Sequence, residues 1–330
     1  MKRVLVTEDI HPRGYEVLES DPGIEVVRID GIEPETLKAA VRDADGILVR
    51  SAKLTTDVLE GAANLKVVSR HGVGCDSIDV AHLSARGIPV AIAAGANARS
   101  VAEHTLALML ASARELPLLD TVVKSGRWAE RNNYRAMDLI GAKVLIVGFG
   151  RIGRLVAPLC KAFGMDVVVA DIALDETLAA EMGCRGVEDF RPELADADFV
   201  TLHVPLDETT RHLVGEKELA GMKPGAILIN CARGGIVDDD ALLAALQSGH
   251  LRGAGLDVMD EEPPVPDHPL IHRTDVVMTP HNGAGAMSAA IAMAEMSARN
   301  ILDAFAGELR EDCTFNLHAL RVDGMEKQSA

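Results

Sequence analysis

Three glycines with a fixed spacing are the feature of the sequence that most clearly indicates chemistry. Residues 148–153 read G-F-G-R-I-G, after the apolar run Val144–Val147 and before a helical pattern. In that context Gly148 would allow a tight turn, Gly150 the close approach of a pyrophosphate, and Gly153 the packing of a helix on a strand. The N-terminus of the helix would add N–H donors and a partial positive charge. The segment predicts a dinucleotide-binding turn; a glycine turn that merely packs is the competing interpretation.

An acidic residue stands where a dinucleotide site needs one. Asp171 follows the predicted strand Asp166–Ala170 and lies 171 − 150 = 21 residues beyond Gly150. A carboxylate at this place accepts hydrogen bonds from ribose hydroxyls and repels a 2′-phosphate, which favours NAD over NADP. Capping of a helix by Asp171 is the competing interpretation.

A larger framework must position these residues, and the chain is long enough for two domains. Its 330 residues exceed the size at which one hydrophobic core usually stops growing. Short β-branched runs alternate with helical patterns, which predicts parallel sheets. The first series of predicted strands is Val4–Thr7, Ile24–Val27, Ile47–Arg50, Val67–Arg70 and Pro89–Ala93. The second series is Val144–Gly148, Val167–Ala170, Phe199–His203, Ala226–Asn230, Gly255–Val258 and Val276–Thr279.

Two helical patterns predict how the domains are joined. Apolar residues recur without a glycine from Ala98 to about Lys124, which indicates one extended helix. A last helical pattern runs from Met287 to about Phe305, and the segment after it is too short for a domain, so we expect it to return to the first domain. The predicted architecture is α/β, with two doubly wound parallel-sheet domains formed by 1–98 with 288–330 and by 99–287.

The composition excludes several classes of protein. A formal net charge of −17, with no Lys/Arg-rich run to offset it, argues against binding of nucleic acid or acidic membranes. An anionic substrate would also be repelled at long range, so its site must concentrate positive charge locally. There is no signal-peptide core or long apolar span, and the five cysteines form no C-x-x-C pair. These features are typical of a cytoplasmic protein without disulfides.

Four further segments resemble the D-isomer-specific 2-hydroxyacid dehydrogenase family, which includes phosphoglycerate, glycerate/hydroxypyruvate and formate dehydrogenases. The similarity spans nearly the whole chain. The segments are R-H-G-V-G-C-D at 70–76, N-A-R-S-V-A-E-H at 97–104, N-C-A-R-G-G-I-V-D at 230–238, and G-L-D-V at 255–258 with E-E-P at 261–263 and T-P-H at 279–281. The resemblance implies a Rossmann NAD-binding domain inserted in a flavodoxin-like substrate domain, a small 2-hydroxy or 2-keto acid substrate, and a homodimer.

By this resemblance Arg233, Glu262 and His281 are the catalytic residues. All three follow predicted strands of the second domain, at the edge where open α/β sheets bind ligands. Reduction of a 2-keto acid needs a proton donor at the carbonyl oxygen, which an imidazole can supply. Glu262 would orient that imidazole and favour its charged form. Arg233 would hold the substrate carboxylate with its planar fork of donors.

The resemblance also implies contacts around the catalytic residues. Backbone N–H groups for the substrate carboxylate are expected from the other domain, in the turn of Gly72, Val73 and Gly74. Further substrate contacts are expected from Arg50, Ser51, His71 and Asn97. Besides the three glycines and Asp171, cofactor contacts are expected from Arg151, Ile152, His203, Pro205, Cys231 and Asp257.

Several residues have competing interpretations. Arg50 and His71 could reach a distal phosphate, sulfonate or hydroxyl of a substrate, or could serve in salt bridges or caps. His268 and His272 have the spacing of a helical metal site, but the prolines around them favour a loop without a metal. His104 is interpreted as a packing residue.

Several substrates are compatible with these residues. By overall similarity 3-phosphoglycerate is a strong candidate, hydroxypyruvate or glyoxylate nearly as strong, and sulfolactate a further one. An NAD(H)-sensing corepressor-like binding protein of the same fold is the alternative from a different class. Formate oxidation conflicts with Glu262, because formate dehydrogenases of this family carry glutamine in its place.

Overall fold

The computed structural model describes residues 1–134 and 136–328. Contacts divide the chain into two compact units. One unit comprises Met1–Asn97 and the described residues from Gly285 onward, and the other comprises Ala98–Ala284. Each unit is built on one parallel sheet with helices on both of its faces.

The described strands and helices alternate along the chain. The strands are β1 (Lys2–Val6), β2 (Ile24–Arg28), β3 (Gly46–Val49), β4 (Val67–Arg70), β5 (Val90–Ile92), β6 (Lys143–Val147), β7 (Asp166–Ala170), β8 (Arg185–Val187), β9 (Phe199–Leu202), β10 (Ile227–Asn230), β11 (Gly253–Leu256) and β12 (Val276–Met278). The α-helices are α1 (Pro12–Glu19), α2 (Pro34–Ala40), α3 (Thr56–Leu59), α4 (Val80–Ala85), α5 (Ala98–Ala113), α6 (Leu116–Lys124), α7 (Gly153–Ala162), α8 (Glu176–Glu181), α9 (Glu216–Gly221), α10 (Asp239–Gln247), α11 (Met287–Ala306) and α12 (Leu317–Gln328).

The first unit contains a five-stranded sheet in the order β2-β1-β3-β4-β5, with every pair parallel. Side chains alternate between its faces, so Val4 and Val6 belong to one core cluster and Leu5 to the other. Because both faces are covered, the central strand β3 is apolar and buried throughout, whereas the edge strand β2 carries Glu25 and Arg28. The strand order reverses between β1 and β3, and the carboxyl ends at this reversal are where doubly wound sheets bind ligands.

The second unit contains a seven-stranded sheet in the order β12-β11-β10-β9-β6-β7-β8, again parallel throughout. On β6, Val144 and Ile146 pack in one core cluster while Leu145 and Val147 pack in the other. The order reverses between β6 and β9. The segments after β6, β9, β10, β11 and β12 therefore meet at one edge, which is the predicted ligand edge. The predicted α/β fold class is confirmed.

The predicted single helix from Ala98 to about Lys124 is wrong, because the structure has two helices, α5 and α6. Glu115 between them adopts a left-handed conformation, with φ = 52°. Pro117 has no N–H to donate to the carbonyl of Ala113, four residues earlier. That carbonyl instead accepts a hydrogen bond from the N–H of Met137, at 2.8 Å.

Two strands of the second sheet differ from the prediction. The edge strand β8 was not predicted, because its sequence, R-G-V, contains one apolar residue and a glycine and so shows no apolar run. Strand β11 begins at Gly253, two residues before the predicted start at Gly255. A β-carbon on Gly253 would lie 2.5 Å from the carbonyl oxygen of Asp275, so this strand requires glycine against its neighbour despite the low strand propensity of glycine.

All five cysteines are buried, and none forms a disulfide. Burial raises the pKa of both Cys160 and Cys231 to about 12, so these thiols are protonated at neutral pH.

Within 1–134 and 136–328, no helix has the length and apolar character needed to cross a bilayer.

Candidate active site

The glycine turn joins β6 to α7, and its three glycines have different surroundings. Gly148 has φ = 98°, and a β-carbon there would lie 2.7 Å from the carbonyl carbon of His203. A β-carbon on Gly153 would lie 2.1 Å from the carbonyl oxygen of Gly148. Gly150 has no heavy atom within 4 Å of that position. The turn is therefore closely packed at both ends and open at its middle.

Asp171 follows β7 and faces the same turn. Its Oδ2 accepts a hydrogen bond from the N–H of Phe149 at 2.7 Å, and its Oδ1 accepts one from the N–H of Ala173 at 2.9 Å. Each oxygen keeps a second acceptor site, which a ribose hydroxyl could use. The N-cap residue of α7, Ile152, makes no side-chain capping hydrogen bond, and the N–H groups of Arg154 and Leu155 donate to the carbonyls of Gly150 and Ile152 at 3.1 and 2.8 Å. The positive end of the helix dipole still lies at this turn, where an anion is favoured. The open position at Gly150, the N-terminus of α7 and the Asp171 carboxylate together fit an NAD molecule.

The other predicted cofactor residues surround this turn or follow neighbouring strands. Arg151 is exposed within the turn. His203 follows β9, lies 3.0 Å from the Thr201 hydroxyl through Nε2, and is kept neutral because desolvation lowers its pKa to about 3. Pro205 is exposed, and Cys231 is buried directly after β10. Their roles stay predictions.

The unequal surroundings of the glycines predict unequal effects of adding a methyl group. We expect Gly150→Ala to leave the melting temperature nearly unchanged and to weaken NADH binding by about tenfold or more, because the methyl group would occupy the approach to the pyrophosphate. Gly153→Ala, the matched control, should lower the melting temperature because it drives a β-carbon into the Gly148 carbonyl. Differential scanning fluorimetry and NADH titration measure both. A Gly150→Ala protein that binds NADH normally would contradict the assignment.

The three predicted catalytic residues follow three adjacent strands. Arg233 comes after β10, Glu262 is on the segment after β11, and His281 comes after β12. His281 Nδ1 lies 2.7 Å from Glu262 Oε2, and the other carboxylate oxygen accepts a hydrogen bond from the N–H of Met259 at 3.2 Å. This backbone contact fixes the direction of the carboxylate that orients the imidazole.

The electrostatics of the pair favour its charged form. The pKa of His281 is raised, chiefly by the hydrogen bond that its Nδ1–H donates to Glu262; desolvation and the positive charge of Arg233 oppose the shift. Burial disfavours ionisation of Glu262, but its hydrogen bond and charge interaction with His281 outweigh burial and lower its pKa. The two directions agree, because each partner stabilises the charged form of the other.

This raised pKa predicts a pH dependence. Reduction requires protonated His281, so kcat/KM for a keto acid should fall as pH rises through the pKa of His281. In Glu262→Gln the carboxylate charge is lost, the pKa of His281 falls, and we expect the decline to begin at lower pH. The neighbouring Glu261→Gln, also at an exposed position, is the control and should leave the profile in place. Steady-state rates from pH 5.5 to 9 measure this; a Glu262→Gln profile that is only scaled down would contradict it.

Arg233 is held at the start of a turn that has no space for larger residues. Its Nη1 donates to the carbonyl of Ala232 at 2.7 Å, and its own carbonyl accepts from the side-chain amide of Asn230 at 2.9 Å. A β-carbon on Gly234 would lie 1.7 Å from the carbonyl oxygen of Met259. The turn after β10 therefore lies directly against the segment after β11, which carries Glu262.

Asp257 directly follows β11 and is buried, with 2% of its surface exposed. Its Oδ1 accepts from the Thr279 hydroxyl at 2.6 Å and from the N–H of Asn282 at 2.8 Å, and its Oδ2 accepts from the N–H of Gly283 at 2.8 Å. The carboxylate thus holds the segment around His281. The predicted contact of Asp257 with the cofactor stays a prediction.

In the first unit, the predicted substrate residues follow β3 and β4. The carboxylate of Glu8, after β1, accepts hydrogen bonds from the backbone N–H groups of Arg50, Ser51 and Ala52 at 2.8–3.1 Å and from the Ser51 hydroxyl. Burial opposes ionisation of Glu8, but these donors outweigh it and lower its pKa. Glu8 was missed from the sequence, because nothing in its local pattern distinguishes it from a surface acid.

Arg70, the last residue of β4, holds the turn that follows this strand. Arg70 donates to the carbonyls of His71 and Gly74 at 2.7 and 2.9 Å, and Gly72 has φ = 144°. His71 is buried, and desolvation, with the positive charge of Arg50, lowers its pKa to about 4. At neutral pH His71 therefore offers hydrogen bonding rather than charge. Val73 and Asn97 are half-buried.

The two histidines with metal-like spacing have structural contacts. The Nδ1 of His268 accepts from the N–H of Leu270 at 3.3 Å and caps the 3₁₀ helix Pro269–His272. The Nε2 of His272 lies 2.9 Å from the carbonyl oxygen of Pro266. Across the described part of the chain, no group of three or more His, Cys, Asp or Glu side chains has an arrangement that could hold a metal ion.

Comparison with known proteins agrees with this arrangement. The model of the D-isomer specific 2-hydroxyacid dehydrogenase NAD-binding domain matches residues 106–283. The chain belongs to the D-isomer-specific 2-hydroxyacid dehydrogenase family. The resemblance stated from the sequence is confirmed, and the second unit contains the NAD-binding domain of that family.

Particular relatives cover most of the chain. It is 42% identical over 313 residues to the D-3-phosphoglycerate dehydrogenase of Methanocaldococcus jannaschii, a match that takes in 94% of this chain and 59% of that protein. The solved NADPH-dependent glyoxylate/hydroxypyruvate reductase of Sinorhizobium meliloti matches with 31% identity and a TM-score of 0.83, covering 93% of this chain and 95% of that one. The D-lactate dehydrogenase of Aquifex aeolicus, solved with NAD and lactic acid, matches with 29% identity and a TM-score of 0.80, covering 93% and 96%. The chain thus spans about three fifths of the length of the archaeal phosphoglycerate dehydrogenase and nearly all of the two solved enzymes.

Proposed function

We propose that the protein is an NAD-dependent dehydrogenase that interconverts a small D-2-hydroxy acid and its 2-keto acid. The observation that carries this proposal is the 2.7 Å contact between His281 Nδ1 and Glu262 Oε2, with Arg233 after the neighbouring strand. The leading substrate pair is 3-phosphoglycerate and 3-phosphohydroxypyruvate, supported by relatives at 37 to 42% identity that are named D-3-phosphoglycerate dehydrogenase. Hydroxypyruvate and glyoxylate are the next candidates, supported by the solved reductase.

The side chains supply the proton and the positive charge for this reaction. When bound, NADH supplies the hydride and NAD accepts it. Since Nδ1 of His281 is bonded to Glu262, Nε2 is the nitrogen that gives a proton to the carbonyl oxygen during reduction and takes it back during oxidation. Arg233 pairs with the substrate carboxylate and polarises the adjacent carbonyl group. Asp171 binds the ribose and favours NAD over NADP.

The experiment that tests this proposal follows NADH oxidation at neutral pH. The acids are 3-phosphohydroxypyruvate, hydroxypyruvate, glyoxylate, sulfopyruvate and pyruvate, each with the wild type and with His281→Ala. Turnover of one acid that is lost in the variant supports the enzyme and names its substrate. NADH binding without turnover of any of these acids would overturn the proposal for them and favour an NAD(H)-sensing protein of the same fold.

We also propose that the protein is a cytoplasmic homodimer. The exposed apolar side chains Leu116, Val123 and Trp128 lie on α6 and the 3₁₀ helix after it, with 52 to 61% of their surfaces exposed. Such side chains commonly mark a surface that is covered in an assembly. Sedimentation equilibrium of the wild type and of Trp128→Glu tests the dimer, because the added charge should shift a dimer toward monomer.

The cysteines support the proposed cytoplasmic location. None of the five forms a disulfide, which agrees with a reducing compartment.

The predicted substrate contacts of the first unit remain part of this proposal. We assign the N–H groups of the 72–74 turn to the substrate carboxylate, and Arg50, Ser51, His71 and Asn97 to the remainder of the substrate. The position of these residues after β3, β4 and β5, at carboxyl ends of the strands, supports the assignment.

A further inference from the structure

Asp257 connects the segment that carries His281 to the rest of the second unit. Its carboxylate accepts the three hydrogen bonds described above, from the Thr279 hydroxyl and from the N–H groups of Asn282 and Gly283. Its backbone carbonyl accepts a fourth, from the N–H of His281 at 2.8 Å. The backbone on both sides of the His281 imidazole therefore depends on where one buried carboxylate points.

His281 needs such support, because its backbone is in a conformation that most residues avoid. It has φ = 49°, in the left-handed region where the β-carbon of a non-glycine residue is crowded. A strained conformation persists only where the surrounding structure holds it. The fit is tight: a β-carbon on Gly283 would lie 2.9 Å from Oδ2 of Asp257.

A second layer of contacts holds Asp257 itself. His104, on α5, lies with Nε2 2.8 Å from the Thr279 hydroxyl oxygen and 3.4 Å from Oδ1 of Asp257. A hydroxyl has one proton, and Thr279 donates it to Asp257, so the same hydroxyl oxygen must accept from His104. This order of donors requires the Nε2–H form of the His104 ring. His104, Thr279 and Asp257 thus form a directed chain of hydrogen bonds that ends at the backbone of residues 281–283.

We propose that His104 and Thr279 are positioning residues for the proposed dehydrogenase: they fix Asp257, and through it they keep the His281 imidazole on Glu262. The inference rests on the proposed function, since it assigns a purpose to the position of His281. It replaces the interpretation of His104 as a packing residue. A packing residue would need only its shape, whereas this arrangement needs a donor at Nε2 of residue 104 and a hydroxyl at residue 279.

The charged groups around His281 set the direction of the expected change. The hydrogen bond and the charge of Glu262 raise its pKa, as does the charge of Asp257, while desolvation and Arg233 lower it. The hydrogen bond that His281 donates to Glu262 is the largest of these influences. If the segment moves and that hydrogen bond lengthens, the pKa of His281 should fall toward its ordinary value.

Two matched pairs of variants test the proposal. Thr279→Val removes the hydroxyl and keeps the shape, whereas Thr279→Ser keeps the hydroxyl. We expect Thr279→Val to lower kcat about tenfold, because a misplaced imidazole slows proton transfer. The decline of kcat/KM at high pH should also begin at lower pH, while Thr279→Ser should follow the wild type in both respects. His104→Leu and His104→Gln form the second pair, since glutamine retains an N–H donor.

A direct reading of His281 separates this proposal from the proposed function. Its ring signals are assigned in ¹H–¹³C spectra by their absence in His281→Ala, and their titration gives the pKa even if none of the tested acids is turned over. A lower pKa in Thr279→Val and in His104→Leu, with recovery in Thr279→Ser and His104→Gln, supports the proposal. An unchanged pKa and pH profile in folded Thr279→Val or His104→Leu, with only a lower melting temperature, would overturn it. Because His104 has 21% of its side chain exposed, its pair provides the test if Thr279→Val does not fold.

Discussion

Replacing His281 with glutamine is expected to lower kcat for keto-acid reduction by about 10²–10⁴-fold. The reason is chemical rather than structural. Glu262 raises the pKa of the imidazole and so favours its charged form, and Nε2 is left to exchange the proton. Glutamine keeps a polar group of similar length but has no proton to transfer near neutral pH. Since 47% of the His281 side chain is exposed, little apolar packing is lost.

The measurement is steady-state reduction of the best acid from the panel, with NADH titration and thermal melting in parallel. We expect NADH affinity and melting temperature within the wild-type range, so that the loss falls on the chemical step. His272→Gln is the control, because it makes the same change at an exposed histidine on the 3₁₀ helix between β11 and β12. A His281→Gln protein within a few fold of the wild-type kcat would remove His281 from the role of acid.

The second large effect is expected from Arg233→Lys. Lysine retains the charge but loses the planar fork that can donate two parallel hydrogen bonds to a carboxylate. It also loses the donor that reaches the Ala232 carbonyl at 2.7 Å, so the head group is less well directed. We expect kcat/KM to fall by about 10²–10³-fold, with both a higher KM and a lower kcat, because Arg233 binds the substrate and also polarises the carbonyl.

Arg211→Lys is the matched control for Arg233→Lys. Arg211 is exposed, and its Nη1 lies 3.9 Å from an Asp260 oxygen, a contact that lysine can replace at little cost. Initial rates over a range of substrate concentrations separate the two parameters. If Arg233→Lys changed neither KM nor kcat by more than Arg211→Lys does, the carboxylate would have to bind elsewhere.

The sequence was sufficient to predict the fold class, because β-branched runs between helical patterns produce the two parallel sheets that the structure contains. It was less informative about the exact ends of elements. Pro117 is a signal in the sequence that a helix ends or begins, but the apolar repeat continues on both sides of it and hides the break. Strand β11 shows the opposite difficulty: Gly253 weakens a strand pattern locally, and only the neighbouring backbone explains why glycine is needed there.

For the site, local motifs predicted the residues but not their supports. The glycine turn can be recognised from the sequence because its three glycines lie close together along the chain. His281 and Glu262 were predicted by resemblance, without knowledge of their contact. The supports are distant pairs: Glu8 contacts residues more than 40 positions away, and His104 contacts Thr279 across 175 positions. One sequence contains no periodic signal for such pairs. The folded topology alone brings them together.

Because every cysteine is buried, the reactivity of the thiols can report local opening of the structure. Thiolates react with alkylating reagents, and burial keeps all five thiols out of contact with the reagent until the surrounding structure opens. At Cys160 and Cys231 burial also raises the pKa to about 12, which keeps these two thiols protonated. Cys75 and Cys313 belong to the first unit, and Cys160, Cys184 and Cys231 to the second. Mass spectrometry of alkylated peptides over time would therefore measure the opening free energy of each unit separately. A dinucleotide that binds the second unit should slow the labelling of its three thiols in proportion to its affinity, without any enzymatic assay.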